Sequence, residues 1–276
     1  MKYMTFNSSC SYAGLANLVS FYGVDTEDRE IALKIGLPFM FAYEDGCYLS
    51  GPMLQTEKWF NIYLKTVGLF ITEQKVKREQ ICDHLRTLKY AMLGIRVSGA
   101  NKHAVVYTGM SNGKFSMLNN KRKDSDEPDT LLLSEQELMH RVDEIVTVAH
   151  LSRTTCEAVN IEGVLKNSVS VLQTLCEDIE AFCSQKKTAA DIRSSMNTLF
   201  RAILLDGITM LDLIGKTHIS KNLKIVQGQF MNAVKSNREV QLNKCLDVPL
   251  FKKAIKEYSD LICIRINEEV KSARIM

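Results

Sequence analysis

HAVVYTG at residues 103–109 and KFSML at residues 114–118 flank the turn Met110-Ser111-Asn112-Gly113. Both runs are rich in β-branched and aromatic residues, and Asn-Gly supplies the positive φ angles that a tight strand connection needs, so the stretch predicts a β-hairpin. Working back from it, Tyr90 to Val97 reads as another strand, Lys77 to Thr87 as a helix and Leu69 to Glu73 as a short strand. Earlier still, Gly51-Pro52 leads into a helix ending near Gly68, and Phe39 to Gly51 is a loop with a strand fragment. Thr26 to Ile35 is a short helix, and Cys10 to Tyr22 a longer one with apolar residues at 12, 15, 19 and 22. Ser8 or Ser9 can cap that first helix and Gly23 can close it. Downstream of the hairpin, KRKDSDEPDT (121–130) reads as an exposed charged loop, and Ser134 with Glu137 forms a capping box that opens one more helix.

The remaining 126 residues have a different texture. Val164, Val171, Leu175 and Ile179 recur at helical spacing, as do Ile192, Met196, Leu199, Ile203, Ile208, Leu211 and Ile214. Residues 219–234 and 248–272 supply two further amphipathic helices, with Pro249 acceptable in a first turn. Four such helices on short connections predict an antiparallel bundle. The aromatic residues thin out here to Phe182, Phe200, Phe230, Phe251 and Tyr258. The charge shifts as well, from 17 basic against 18 acidic residues in 1–150 to 18 against 14 afterwards. The reading is therefore an α+β fold built on an antiparallel sheet (residues 1–150) followed by an all-helical domain (151–276), with the divide near 148–156.

Composition narrows the function. Of the 276 residues, 46% are hydrophobic and 24% charged, with 4 prolines and 14 glycines, which suits a folded protein with a real core. The net charge of +3 supplies no concentrated basic face, so nucleic-acid binding is not expected. No run of 18 uncharged apolar residues exists, so no membrane span is expected, and Lys2 is followed by polar residues where a secretory leader would be apolar. Eight cysteines without a CxxC pair read as small packing hydrophobes in a reducing cytoplasm rather than as disulfides or zinc ligands. One of the eight is different.

Cys10 lies at the start of the first helix, where unsatisfied N–H groups and the helix dipole favour an anion, a setting suited to a nucleophilic thiolate. His103 opens a strand directly after the Gly99-Ala100-Asn101-Lys102 turn, so its ring can project from the sheet edge and act as a base. Asn119 ends the partner strand of the hairpin, where its amide oxygen can orient the imidazole; Asn120 is a rival for that role. Each has a bland counterpart: a packed cysteine, a strand-end histidine, a turn asparagine.

SSCSYAGLANLVSFYG (8–23), HAVVYTG (103–109) and LNN (118–120) together resemble the papain-like cysteine protease superfamily. The likeness is to the branch of double-glycine leader peptidases and butirosin-type carrier-protein-dependent acyltransferases, and it covers about residues 5–145. The whole chain is similar to the closthioamide-type amide synthetases. The resemblance implies Cys10 as nucleophile, His103 as base and Asn119 as orienting residue. It departs in one place: a glutamine about six residues before the cysteine helps build the family's oxyanion hole, and position 4 here is Met4. Asn7 or the Cys10 N–H would then stabilise the anion, although an Asn7 that merely caps the helix is an equal reading.

What the resemblance implies is an ATP-independent amide synthetase. It would take an acyl group from the phosphopantetheine thioester of a peptidyl or acyl carrier protein, through acyl-Cys10, to a primary amine or diamine. The enzyme would bind no cofactor or metal of its own. Phe39, Phe41, Tyr43, Cys47 and Tyr48 are candidates for a narrow, water-excluding tunnel, with Glu44 and Asp45 to hold an ammonium group or simply to be solvated. The alternatives are a cysteine peptidase using the same three residues and a non-catalytic interaction module.

Overall fold

The computed structural model describes residues 4–6, 9–97, 102–119, 129–158, 160–235 and 239–273. In chain order the elements are α1 (Ser11–Ser20), α2 (Asp28–Lys34), β1 (Phe41–Glu44), β2 (Cys47–Ser50), α3 (Glu57–Leu64), β3 (Leu69–Lys77) and α4 (Ile81–Arg86). There follow β4 (Ala91–Arg96), β5 (Lys102–Ser111), β6 (Lys114–Asn119), β7 (Thr130–Leu133), α5 (Glu135–Arg141) and β8 (Ile145–Arg153). The rest comprises α6 (Glu162–Ser184), β9 (Lys186–Lys187), α7 (Ala189–Ser195), α8 (Ile208–Leu213), α9 (Thr217–Lys235), β10 (Val240–Gln241), α10 (Leu242–Cys245) and α11 (Val248–Ala273). The architecture is α+β, with an antiparallel sheet and a C-terminal helical region, as the sequence predicts.

The chain forms two compact units, Met1–Ile35 with Gln55–Val159, and Gly36–Leu54 with Asn160–Met276. The sequence reading divides the chain once, near 148–156; the structure moves the divide to 159/160 and assigns residues 36–54 to the helical unit. Two packing facts account for this. β8 runs through the expected boundary and pairs with both β3 and β4, so the sheet is incomplete before residue 153. Residues 36–54 have their apolar and polar partners among the helices.

In the first unit six antiparallel strands are ordered β3-β8-β4-β5-β6-β7. The hairpin forms as expected, with Asn112 at φ 50° and Gly113 at φ 74° closing the Ser111↔Lys114 pair. A register shift between Tyr107 and Met110, with Gly109 at φ 111°, bends β5. One sheet face bears Leu93, Ile95, Val105, Tyr107 and Met117, buried against Ile81 and Leu85 of α4 and Leu138 of α5. β3 is an edge strand, and buried Asn61 of α3 completes it by donating to the Ile71 carbonyl (3.0 Å) and accepting from the Ile71 N–H (2.8 Å). Ser134 and Glu137 close the expected capping box at α5.

In the second unit β1 and β2 form a hairpin whose turn is Asp45-Gly46, both at positive φ. The buried Ser168 hydroxyl of α6 accepts from the Phe41 N–H (2.9 Å), and the Tyr258 hydroxyl of α11 donates to the Pro38 carbonyl (2.7 Å). Phe41 and Tyr258 meet edge to face at 5.2 Å. The single long helix that the 192–214 periodicity suggests is instead α7, two wide π-helical turns (196–200 and 202–207) and α8. The wide turns surround buried Asp206, which accepts from the Arg201 Nε at 3.1 Å.

All eight cysteines are free. Only Cys82 and Cys183 are buried, while Cys156, Cys245 and Cys263 are exposed, so the reading of most cysteines as packing residues is corrected. Exposed positions on α10 and α11 and in the 154–158 connection demand no small apolar group. Burial pushes the Cys183 thiol up to about 11 and raises those of Cys82 and Cys176, which suits inert packing at these three. Among the described residues no helix is long and apolar enough to cross a membrane, and no cluster of three or more metal-ligating side chains occurs.

Candidate functional site

α1 begins the site. Its residues Tyr12 to Val19 are all buried, and Ala13, Gly14 and Ala16 keep its surface low enough to lie close on the sheet. A Cβ built on Gly14 would stand 2.8 Å from Met92 Sδ and 3.2 Å from Ala104 Cβ. The helix therefore presses on the face carrying Met92 and Ala104, opposite the face that carries Val105 and Ile95. Cys10 is the N-cap of α1, and its carbonyl accepts the first intrahelical bond from the Gly14 N–H at 2.9 Å.

The Cys10 sulfur accepts a hydrogen bond from the Ala104 backbone N–H at 3.0 Å. That contact joins residues 94 positions apart and brings the thiol to the backbone of the residue following His103. Because a strand N–H lies in the plane of the sheet, a sulfur that accepts from it sits beside the strand rather than above one face.

His103 is the second residue of β5, half-buried and paired with Ile95. The strand end is held in place electrostatically. Arg96 and Lys102 face each other across β4 and β5, an unfavourable pairing of like charges, and both are bridged by Asp143. Arg141 donates to the carbonyls of Arg96 (2.9 Å) and Val97 (2.8 Å) at the same end.

Asn119 ends β6 opposite Val105, which places it on the face that also carries His103. It is buried, and its amide Nδ2 donates to the Asp129 carboxylate at 2.6 Å while its backbone N–H donates to the Asp129 carbonyl at 2.9 Å. The Asn119 Oδ1 is buried and has no partner among the described residues. A buried carbonyl oxygen without a donor is costly, and the clamp on Nδ2 fixes the direction in which that oxygen points.

Asn7 and Asn120 lie outside the described residues, as does most of the 121–130 loop. The seven candidates from 39 to 48 belong to the other unit. Phe41 and Tyr48 are core residues there, and the Tyr48 hydroxyl donates to Asp178 at 2.6 Å. Phe39 and Cys47 are half-buried, Tyr43 is exposed, and Glu44 and Asp45 flank or form the hairpin turn.

Two participants escaped the sequence reading. Asp129, ten positions further along the chain, fixes the Asn119 amide. Gln55 accepts from both the Ser9 and Ser11 hydroxyls, each at 2.6 Å, so one side-chain oxygen binds the residues on either side of Cys10. Ser9 Oγ in turn accepts from the Ser11 N–H at 3.2 Å. Neither contact has a local sequence signal, because the partners meet only in the fold.

The peptidase domain of Streptococcus ComA, a bifunctional ABC transporter involved in a quorum-sensing pathway, is similar in structure over 55% of this chain and 96% of that domain, at 14% identity and a TM-score of 0.38. No family profile and no curated protein sequence matches the chain.

Proposed function

We propose that the first unit is a papain-like catalytic body that works through an acyl-Cys10 intermediate, with His103 as base and Asn119 as its orienting residue. The observation that carries this reading is the Ala104 N–H donated to the Cys10 sulfur at 3.0 Å. It sets a helix-start thiol against the backbone next to the one histidine that begins a strand, and a backbone donor aimed at sulfur suits a thiolate nucleophile. The unpartnered Asn119 oxygen on the His103 face supports the third role, since it lacks a donor that an imidazole N–H can supply.

The chemistry would run in two steps. His103 takes the Cys10 thiol proton, and the sulfur adds to the carbonyl carbon of a thioester. The C–S bond of the thioester breaks, the leaving thiolate recovers the proton from the imidazolium, and acyl-Cys10 remains. An amine then adds to that carbonyl, His103 accepts its proton, the bond to Cys10 sulfur breaks, and an amide leaves. The thioester supplies the activation, so no nucleotide is consumed. The donor we propose is a carrier-protein phosphopantetheine thioester and the acceptor a primary amine or diamine.

Peptide hydrolysis through the same acyl-Cys10 is the second reading, and the Gln55 amide beside Ser9 and Ser11 favours it. An unactivated peptide bond demands a side-chain donor for its oxyanion, which Met4 lacks and Gln55 carries. The test is intact-mass analysis after incubation with the benzoyl thioester of N-acetylcysteamine, with and without butylamine, for the wild type and Cys10→Ala. An adduct on the wild type alone, discharged to N-butylbenzamide, is expected. Discharge only to benzoate, with cleavage of a peptide anilide, would favour the peptidase, and absence of any adduct on Cys10 would overturn both.

A further inference from the structure

The geometry points to Gln55 as the side-chain donor that stabilises the oxyanion formed when Cys10 attacks a carbonyl, an inference that rests on the acyl-Cys10 reading above. Attack at a carbonyl puts negative charge on its oxygen, and a donor near the nucleophile must meet it. Met4 has no hydrogen-bond donor in its side chain. Gln55 reaches the same neighbourhood from a different part of the chain, 45 residues beyond Cys10 in sequence, at the entrance to α3.

The hydrogen bonds fix which end of the amide faces where. Both hydroxyls lie 2.6 Å from Gln55 Oε1. That spacing is typical of O–H···O and short for a bond between a hydroxyl and an amide nitrogen. Ser9 Oγ already accepts from the Ser11 N–H, so its own proton is available to Gln55. The carbonyl end of the amide is thus held by one hydroxyl from each side of Cys10. Gln55 is half-buried, and its Nε2 has no hydrogen bond of its own among the described residues. An amide with its oxygen committed and its nitrogen left uncommitted is a preorganised donor, and it needs little reorganisation as charge develops. Ser9 and Ser11 become positioning residues, acting through Gln55.

A purely structural tether predicts different behaviour from a donor, and Gln55→Glu separates the two. A carboxylate keeps the oxygen that accepts from Ser9 and Ser11 but replaces the N–H donor with negative charge. Two rates are measured on the full-length chain: acylation of Cys10 by the benzoyl thioester of N-acetylcysteamine, and alkylation of Cys10 by iodoacetamide, followed by peptide mapping. Alkylation passes through no oxyanion, so it reports thiol reactivity alone. For Gln55→Ala, acylation is expected to slow by about 10²–10³-fold while alkylation stays within about twofold of wild type; for Gln55→Glu, whose charge also disfavours the thiolate, acylation is expected to fall by at least about tenfold more than alkylation. Acylation by Gln55→Glu within about threefold of wild type would overturn the assignment. So would equal losses in both rates, which mark a structural tether. A wild type that takes iodoacetamide on Cys10 but no acyl group overturns the acyl-Cys10 reading itself, and Gln55 with it, before any variant is compared.

Discussion

Gly14→Ala puts the closest approach in the site under direct strain. In an unconstrained helix the change stabilises by about 1 kcal/mol, because alanine loses less backbone freedom. Here the added methyl would stand 2.8 Å from Met92 Sδ and 3.2 Å from Ala104 Cβ. Met92 can swing aside at small cost, since its side chain is unbranched. Ala104 cannot, because its Cβ is fixed to β5 between two hydrogen-bonded neighbours. Restoring an ordinary carbon contact of about 3.5–4.0 Å requires α1 to retreat by roughly half an ångström. Such overpacking costs about 1–3 kcal/mol, so the net effect on stability runs from neutral to about 2 kcal/mol of loss. Function should suffer more than stability. Cys10 is one turn from Gly14 on the same face, and a retreating helix draws its sulfur away from the Ala104 N–H. A displacement of about half an ångström should slow acylation and alkylation of Cys10 by about tenfold. Gly228→Ala in α9 is the control: nothing lies within 4 Å of a Cβ there, so the propensity gain of about 1 kcal/mol should appear intact. Urea unfolding and Cys10 alkylation kinetics on both variants give the result. If Gly14→Ala is stabilised as much as Gly228→Ala and alkylates at the wild-type rate, then the contact between α1 and β5 does not hold the thiol in place.

Three other substitutions probe separate supports. Asn61→Leu removes both hydrogen bonds that complete the β3 edge at Ile71 and leaves two backbone groups unpaired; a loss of about 3 kcal/mol in urea unfolding is expected, and a loss under 1 would refute the role. Asp129→Ala frees the Asn119 amide to rotate, so acylation of Cys10 should slow by about tenfold with unfolding stability nearly unchanged, and Asp129→Asn should recover part of the rate. Burial, followed by the proximity of His150, holds the His84 imidazole below the ordinary value of 6.5. The unfolded chain therefore binds that proton more readily. Its contribution to stability is complete above about pH 6.5 and is lost as pH falls from there towards the lower folded value. His84→Gln should flatten the decline in unfolding free energy between about pH 7 and 5, and an unchanged slope would show that His84 does not titrate with folding.

The parts of the fold that could be read from the sequence are those whose signal is local. Asn112-Gly113 announces a turn, Ser134 and Glu137 announce a helix start, and the apolar spacing of 164–179 fits a helix, because in each case the residues that interact are near neighbours. β7 and β8 went unread. TLLL is too short to show alternation, and the sheet partners of β8 lie 55 to 84 residues earlier in the chain. The same limit applies to the candidate site. Cys10, His103 and Asn119 stand out through helix-start or strand-end positions, so they are visible one at a time. Ala104, Gln55 and Asp129 act through a backbone N–H or through side chains on loops, and nothing in their own neighbourhoods marks them. Met4 then turns attention to Asn7 or the Cys10 N–H, the donors nearest in sequence, since sequence shows which position lacks a residue type but not which distant residue occupies the space.

The assignment of residues 36–54 to the helical unit changes what that unit is. Read along the chain it is an appendage that begins after residue 150 and could be removed. In the structure its helices enclose a segment that the chain lays down between α2 and α3. Phe41 lies against Tyr258, Ser168 takes the Phe41 N–H, and the Ser50 hydroxyl donates to the Ala202 carbonyl at 2.6 Å. A chain ending at residue 158 keeps all six strands of the sheet and Cys10, His103 and Asn119, but it strands Leu37, Met40, Phe41, Tyr48 and Leu54 without the helices they pack among. Each exposed side chain of this kind forfeits about 1.5–3 kcal/mol of burial, which for five approaches the whole stability of an ordinary domain. The truncated chain should therefore be insoluble, or bind a hydrophobic dye strongly, at concentrations where the full chain is clear. A soluble 1–158 fragment with a cooperative urea transition would show that residues 36–54 do not depend on the helices, and the expected simple division of the chain would stand.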